Sequence, residues 1–381
     1  MVGIAELPLH GGRVPRWMLR TMERLGLAIA RAVVEVKGPR ALVEGLSNPY
    51  WFQAFNNVIG MDWDSSGSTT VTLYVLRKAS LSEDLGFMIL GGKGSRMLEI
   101  EGEASVVGER FGVDPGDIRF FSKGSARISN TLLQDGYSTY IHALAVSEDG
   151  YMVAVEQGMN VDAGMSRRYH IVSTDLEDPF TGVSGVRSGV ILNSLGRESR
   201  EARRAYLDLL GEGARRLERL VREANAMIEG RPSLDSFLHE GRATPRRVSG
   251  RPYYRPLKLD KRTARYLEML AEASPTSDRE LLSAPGLTPK VVRALALVAD
   301  VIFGVSTSTR DPVDTPLNPF VYAYAVGGKD GVPYRFDRRI AEMVTVTLEE
   351  AIELARIGRH DKLRALSRLR RLLDPLRGEK A

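Results

Sequence analysis

The alternation of apolar and polar positions predicts helices and a buried strand within the first 100 residues. Apolar residues recur at helical spacing over residues 15–35 and 39–46, so both segments are predicted helices. The run FMILGG, residues 87–92, is continuously apolar until its two glycines, which is typical of a buried strand. The pattern over residues 70–80, TVTLYVLRKAS, fits either a strand or a helix.

A β-hairpin is predicted over residues 140–159, YIHALAVSEDGYMVAVEQGM. Two strand-like runs flank Glu148-Asp149-Gly150, a short loop that ends in glycine. A three-residue loop sets Ser147 opposite Tyr151, and counting outward sets His142 opposite Glu156. A register slip by one residue would replace Glu156 by Gln157 in that pair.

The chain becomes helical after about residue 196. Leucines, valines and alanines recur at helical spacing over residues 199–228, and Gly211 and Gly213 weaken the middle of that segment. Further helices are predicted at 261–273, 277–284, 288–303, 338–357 and 360–373.

The fold class is therefore α+β. Residues 1–190 form a mixed domain with a small antiparallel sheet, residues 191–381 form an all-helical domain, and the boundary falls between 185 and 200.

Charge divides the chain into two unlike halves. Residues 1–190 hold 18 Lys+Arg and 22 Asp+Glu, a net charge of −4, whereas residues 191–381 hold 35 and 26, a net charge of +9. Such asymmetry indicates a polyanionic partner for the second half, nucleic acid before membrane. The absence of cysteine excludes disulfides, thiolate zinc sites, iron–sulfur clusters and cysteine nucleophiles.

Neither a membrane span nor a secretory signal is recognisable in the sequence. No stretch reaches the roughly 18 apolar residues that a transmembrane helix needs. The N-terminus, MVGIAELPLHGGRVPRW, lacks a basic start followed by an apolar run. We therefore expect a cytoplasmic protein.

The segment LLSAPGLTPKVVRALALVADVIFG, residues 281–304, resembles a helix-hairpin-helix motif, which holds the backbone of DNA or RNA without reading its sequence. The turn Pro285-Gly286-Leu287 is tight, and the next helix begins directly after Thr288. Backbone N–H groups at such a turn and helix start can bind a phosphate. An ordinary turn between two packed helices would show the same pattern.

This resemblance extends to the helix-hairpin-helix DNA glycosylase superfamily. Members that also cut the strand carry a lysine at the start of the second helix and an aspartate at the start of the next one. Lys290 and Asp337 match these positions, so the resemblance implies that Lys290 forms a Schiff base with the sugar and that Asp337 stabilises the developing charge. Alternatively, Lys290 neutralises a phosphate and Asp337 caps a helix.

A basic segment, residues 242–262, precedes the hairpin. Guanidinium groups can neutralise phosphates, and tyrosine rings can stack on unpaired bases. The segment could equally be a solvated loop. The residues predicted to contact nucleic acid here are Arg246, Arg247, Arg251, Tyr253, Tyr254 and Arg255.

The first half offers a possible second site. Asp62 and Asp64, two residues apart, could share a Mg²⁺ or Mn²⁺ ion, and His142 and Glu156, with Gln134 and Asp135, could complete a nuclease site. The simpler alternative is that Asp64 caps a helix.

Lys93, in the run GGKGS, could contact a nucleic-acid phosphate, but the spacing of its glycines does not fit a nucleotide-binding P-loop.

The whole chain is similar to an uncharacterised archaeal and bacterial family, a domain of unknown function. The similarity rests on GIAELPLHGGRVPRWM, NPYWFQAFNNVIGMDWDSSGSTT, LLQDGY, VEQGMN, RRYH and GGKDGVPY. It implies that both halves act together, but it supplies no activity.

Three functions are compatible with the sequence. The first is nucleic-acid repair, preferably on DNA, by a glycosylase and lyase that uses Lys290 and Asp337 without a cofactor. The second is a nuclease that depends on Mg²⁺ or Mn²⁺ and acts in the first half. The third is an adaptor that binds nucleic acid without catalysis.

Overall fold

Thirteen helices and eight strands lie within the part of the chain that the structure describes. This computed structural model describes residues 7–9, 14–61, 66–185, 188–189, 191–230, 256–313 and 338–371. The strands are β1 (Leu7–Pro8), β2 (Phe87–Lys93), β3 (Leu133–Gln134), β4 (Ser138–Ser147), β5 (Met152–Asn160), β6 (Met165–Ile171), β7 (Phe180–Ser184) and β8 (Leu192–Asn193). The helices are α1 (Arg16–Lys37), α2 (Pro39–Ser47), α3 (Pro49–Ile59), α4 (Ser66–Ser82), α5 (Ile100–Phe111), α6 (Pro115–Arg127), α7 (Arg200–Gly211), α8 (Ala214–Ile228), α9 (Lys261–Ala273), α10 (Asp278–Ser283), α11 (Pro289–Val301), α12 (Arg338–Leu354) and α13 (Arg359–Arg371).

The helices predicted from apolar spacing at both ends of the chain are confirmed as α1, α2, α12 and α13, whereas α3 was not predicted. Helix α3 starts where the Asn48 side chain accepts hydrogen bonds from the N–H groups of Tyr50 and Trp51, and it ends at Gly60 in the left-handed conformation. The ambiguous residues 70–80 lie within helix α4. Most of the α4 side chains are buried, so packing and not β propensity decides the structure of this segment.

One antiparallel sheet forms the centre of the molecule. Its strands run in the order β1-β6-β5-β4-β2, and β7 also pairs with β6. The predicted register is confirmed, because His142 lies opposite Glu156. At the turn, the N–H of Ser147 donates to the carbonyl of Tyr151 over 3.0 Å, and Gly150 has a φ of +84°.

The two faces of the sheet carry two different cores. Side chains such as Ile141, Ala143 and Val155 point toward a core formed with α1–α4 and with the C-terminal helices α12 and α13. The alternate side chains, such as Leu144 and Ala154, point toward a second core formed with α5–α11. Side chains from both halves of the sequence therefore share each core, and the proposed domain boundary stays a prediction.

The segment 199–228 is two helices and not one. Gly213, with a φ of +86°, separates α7 from α8, as the weak centre of the pattern indicates. The three helices α9, α10 and α11 follow with bounds close to those expected. Among the described residues, no helix has the length and apolar character needed to cross a bilayer.

An ion pair closes the outer edge of strand β2. Arg77 donates one hydrogen bond to the carbonyl of Ile89 over 2.8 Å and another to Glu103. The Glu103 carboxylate in turn accepts the N–H of Gly91 over 2.7 Å. These two side chains take the place of a neighbouring strand along this stretch.

Candidate functional site

Helix α6 crosses the sheet above two buried polar residues, His142 and Glu156. Because they face each other across β4 and β5, they lie side by side on the face that α6 covers. Asp114 caps the N-terminus of α6, because its carboxylate accepts the N–H of Gly116 over 2.8 Å. It continues into a π-helical turn, Ile128–Leu132, a distortion often found at functional sites.

Four side chains form one continuous hydrogen-bonded chain at this position. The Ser122 hydroxyl oxygen lies 2.8 Å from His142 Nε2, and His142 Nδ1 lies 2.8 Å from Glu156 Oε1. Ser129, in the π-helical turn, donates to the other Glu156 oxygen. In the neutral tautomer whose Nδ1 donates to Glu156, Nε2 is the nitrogen that accepts from Ser122.

Burial increases along this chain from the serine to the carboxylate. Ser122 is half-buried, the His142 side chain is 7% exposed, and the Glu156 side chain is fully buried. A hydroxyl hydrogen-bonded to an imidazole, which is oriented by a carboxylate, is the arrangement that activates a serine nucleophile. The site can therefore support nucleophilic or general-base catalysis.

The α10–α11 hairpin is attached to the same helix that carries Ser122. Lys123 Nζ donates to the carbonyl of Ser283 over 3.0 Å, and Arg127 donates to the carbonyl of Leu282. Burial, and to a lesser degree the charge of Arg127, lowers the pKa of Lys123. The end of α10 is thus fixed to α6 within one helical turn of Ser122.

The hairpin turn is at the surface but is closely packed on one side. Pro285 is exposed, whereas Gly286 is half-buried with a φ of +82°. A Cβ atom on Gly286 would lie 2.1 Å from the Tyr266 carbonyl oxygen in α9. Thr288 caps α11 by accepting the N–H of Val291. Glycine is therefore required here for the approach of α9.

Lys290 pairs with Asp260 and not with a catalytic partner among the described residues. Its Nζ lies 2.6 Å from Asp260 Oδ2, and the Asp260 side chain also caps α9 at Thr263. The hydrogen bond from Lys290 lowers the pKa of Asp260. Asp337 lies outside the described residues, so the proposed Lys290–Asp337 pair stays a prediction.

Among the residues that the structure describes, no group of three or more acidic or histidine side chains could hold a metal ion.

Several predicted site residues cannot be placed. The predicted residues outside the described ranges are Asp62, Asp64, Arg246, Arg247, Arg251, Tyr253, Tyr254, Arg255 and Asp337.

Asp135 belongs to a different buried network from His142 and Glu156. Its carboxylate accepts from Arg167 over 2.7 Å and from the Tyr169 hydroxyl over 2.6 Å. Asp311 accepts from the same guanidinium over 2.9 Å. Burial alone would lower the pKa of Arg167, but Asp135, Tyr169 and Asp311 together outweigh it and raise that pKa. This network ties β6 to the loop at Asp311.

Lys93 is exposed at the end of β2, with its Nζ 5.6 Å from the centre of the Tyr140 ring. Gly91, Gly92 and Gly94 all have positive φ, but the Gly91 N–H is already bound by Glu103. Any phosphate contact in this turn must therefore use Lys93 itself or the positions after Gly91.

Sequence reasoning identified His142 and Glu156 but missed Ser122 and Ser129. Both serines lie in the stretch FFSKGSARISN, residues 120–130, which contains no short catalytic motif. The one sequence feature that relates the two serines is their spacing of seven residues, which places them on the same face of a helix. It could be recognised only after α6 was known to cover His142.

Comparisons with known proteins identify a family but no characterised relative. No curated protein and no solved structure matches the chain. The family DUF763, described as protein of unknown function, matches residues 3–336. Since this match covers most of the sequence, the chain belongs to the DUF763 family.

Proposed function

We propose that this protein is a nuclease-type hydrolase, with Ser122 as nucleophile, His142 as proton acceptor and donor, and Glu156 as the group that orients His142. The observation that carries the proposal is the hydrogen-bonded chain from the Ser122 hydroxyl through both His142 nitrogens to Glu156. Ser129, which donates to the second Glu156 oxygen, is assigned the role of positioning Glu156. This assignment keeps the two catalytic residues of the nuclease hypothesis and adds the nucleophile.

The reaction has two steps. Ser122 Oγ bonds to the phosphorus of a phosphodiester and gives its proton to His142 Nε2, while the bond from phosphorus to one sugar oxygen breaks. His142 passes the proton to that departing oxygen. A water molecule then attacks the phosphoserine, its proton moves to His142, and the Ser122 oxygen recovers a proton as it leaves. Glu156 stabilises the imidazolium in both steps.

Nucleic acid is the substrate class that the rest of the chain favours. The second half of the sequence carries a net charge of +9. The α10–α11 hairpin, whose sequence resembles a helix-hairpin-helix motif, lies against the helix of Ser122 through Lys123 and Arg127. A nucleic-acid strand held by this hairpin would pass close to Ser122, because the hairpin is attached to α6 within one helical turn of that residue.

The test is cleavage of labelled single-stranded DNA, duplex DNA and RNA, each with Mg²⁺, with Mn²⁺ or with EDTA. Ser122→Ala and His142→Ala should each lower the cleavage rate at least about 100-fold. Ser105→Ala, which removes a half-buried hydroxyl on the neighbouring helix α5, should leave the rate unchanged. The metal series tests the Mg²⁺ or Mn²⁺ requirement, which stays a prediction.

A second readout does not depend on the choice of nucleic acid. A fluorophosphonate probe labels activated serines, so peptide mass spectrometry should find it on Ser122 in the wild-type chain. The label should disappear in His142→Ala, although Ser122 is still present. Cleavage that survives in Ser122→Ala, or labelling that does not require His142, would refute the proposed roles.

A further inference from the structure

A pocket lies on the opposite side of the sheet from Ser122, between helix α4 and the edge strand β2. Its volume is about 560 Å³, within the range of pockets that hold small organic ligands. We call it the α4–β2 pocket. It is lined by one face of α4, by the turn that follows Gly91, and by Ile141 of β4.

Four cationic side chains line the α4–β2 pocket, but only two of them have carboxylate partners among the described residues. Arg77 is bound by Glu103, and Arg96 lies 3.5 Å from Glu99. Lys78 and Lys93 are exposed, and within the described part of the chain neither forms an ion pair. These two ammonium groups are therefore available to an anionic ligand.

The remaining walls of the α4–β2 pocket are largely apolar. Leu73 and Leu81 contribute from α4, and Ile89 and Ile141 contribute from the sheet. Tyr74 adds an aromatic ring that is 38% exposed. A ligand that fits this surface has an anionic end for the lysines and a flat or apolar part for the walls.

We propose that the α4–β2 pocket binds a nucleoside phosphate, with its phosphates at Lys78 and Lys93 and its base against Leu73 and Leu81. The volume suits a single nucleotide, either as a free molecule or as the end of a strand. The site is separate from the proposed hydrolase site, since the pocket and Ser122 lie on opposite faces of the sheet.

Isothermal titration calorimetry tests this proposal with ADP, adenosine, inorganic pyrophosphate and a 5′-phosphorylated DNA 12-mer. ADP should bind at least about tenfold more tightly than adenosine and than pyrophosphate, because only ADP offers both parts of the ligand. A 12-mer that displaces bound ADP would identify the strand end as an equivalent source. A 12-mer that leaves ADP bound would identify the free nucleotide as the ligand.

Two kinds of variant keep the proposal open to refutation. Lys78→Ala with Lys93→Ala should weaken ADP binding at least about tenfold. Leu81→Trp should do the same by filling the pocket, and it should fold because Leu81 is 57% exposed. Lys37→Ala, a lysine outside the pocket, is the matched control. ADP binding that is absent in the wild type, or equal in all variants, would overturn the proposal without affecting the Ser122 test.

Discussion

Two histidines of the central sheet have opposite surroundings. His142 is bound at both nitrogens, by Ser122 and by Glu156, and faces α6. His170 is fully buried on the other face, where its Nδ1 donates to the carbonyl of Leu46 over 2.7 Å and its ring meets Phe52 edge-on. Burial, and then the charge of Arg168, lowers the pKa of His170 to about 3. His170 is therefore a structural group that stays neutral in the folded protein.

His170 should make the folded state less stable in acid. In the unfolded chain its pKa returns to about 6.5, so the unfolded state binds a proton that the folded state refuses between about pH 6.5 and pH 3. Stability is thus intact above pH 6.5 and falls as the pH decreases through this window, by about 2 kcal/mol at pH 5. His170→Asn keeps a hydrogen-bond donor but does not titrate, so urea unfolding at pH 7.5 and pH 5 should show a smaller loss.

The test compares, within each protein, the free energy of unfolding at pH 7.5 with that at pH 5. Asn itself is expected to lower stability at both values, because it fills less space next to Phe52. An equal loss between pH 7.5 and pH 5 in the wild type and in the variant would show that His170 is not held neutral.

Lys290 should not form a Schiff base in the wild-type protein. Its Nζ lies 2.6 Å from Asp260 Oδ2, so the amine is already bound to a carboxylate and is not open to a sugar carbon. Borohydride added to protein on an abasic duplex is therefore expected to trap no adduct at Lys290. Lys290→Ala gives the background. An adduct that forms in the wild type and is lost in this variant would contradict this expectation and support the lyase hypothesis.

At the scale of elements, local sequence patterns predicted where helices and strands lie better than they predicted which distant residues meet. The β4–β5 hairpin was predictable because a short loop fixes the register of both strands, and therefore the pairing of His142 with Glu156. Residues 70–80 were not, since burial of α4 from several sides overrides the strand-like composition. Ser122 was also out of reach, because only the packing of α6 on the sheet brings it to His142.

The α10–α11 turn was also predicted at the correct place, but the reason for its glycine was only partly predicted. The sequence indicated a glycine that leaves backbone N–H groups open to a phosphate. The structure gives Gly286 an additional reason, which is the closeness of the α9 backbone at Tyr266. No local signal contains this information, because α9 lies some twenty residues earlier in the chain.

Gly286→Ala should destabilise the protein by about 2–4 kcal/mol, because the new methyl group meets backbone atoms of α9 in addition to the strain of a positive φ. Gly213→Ala is the matched control, since Gly213 also has a positive φ but no atom lies within 4 Å of the added Cβ. It should cost about 1 kcal/mol. Equal losses in chemical denaturation would show that the α9 contact is unimportant.

At the scale of the whole molecule, the last two helices complete a core that the first helices begin. Leu348, Ile352 and Leu369 are buried with side chains of α1 and α3. The family match ends at residue 336, so these helices lie beyond it although they pack against matched residues. A division of the sequence into two halves does not capture this packing, because charge and periodicity contain no information about which distant helices meet.

Ile352→Ala should lower the free energy of unfolding by about 2–4 kcal/mol, because it leaves a cavity in this shared core. Leu354→Ala, in the same helix, should change it by less than about 0.5 kcal/mol, because Leu354 is 56% exposed. Tryptophan fluorescence during urea unfolding reports the change through Trp51, which is buried in the same core. Similar effects of the two variants would show that α12 is not a structural part of this core.

The side-chain pair Arg77–Glu103 has a consequence for how copies of the protein behave when they are crowded together. Unprotected, the outer flank of β2 would be a template on which a second sheet could continue, and repeated joining of this kind leads toward fibrils. A guanidinium and a carboxylate already occupy its carbonyl at Ile89 and its N–H at Gly91. The pair therefore leaves a second copy neither the carbonyl of Ile89 nor the N–H of Gly91 to which a further strand could bond.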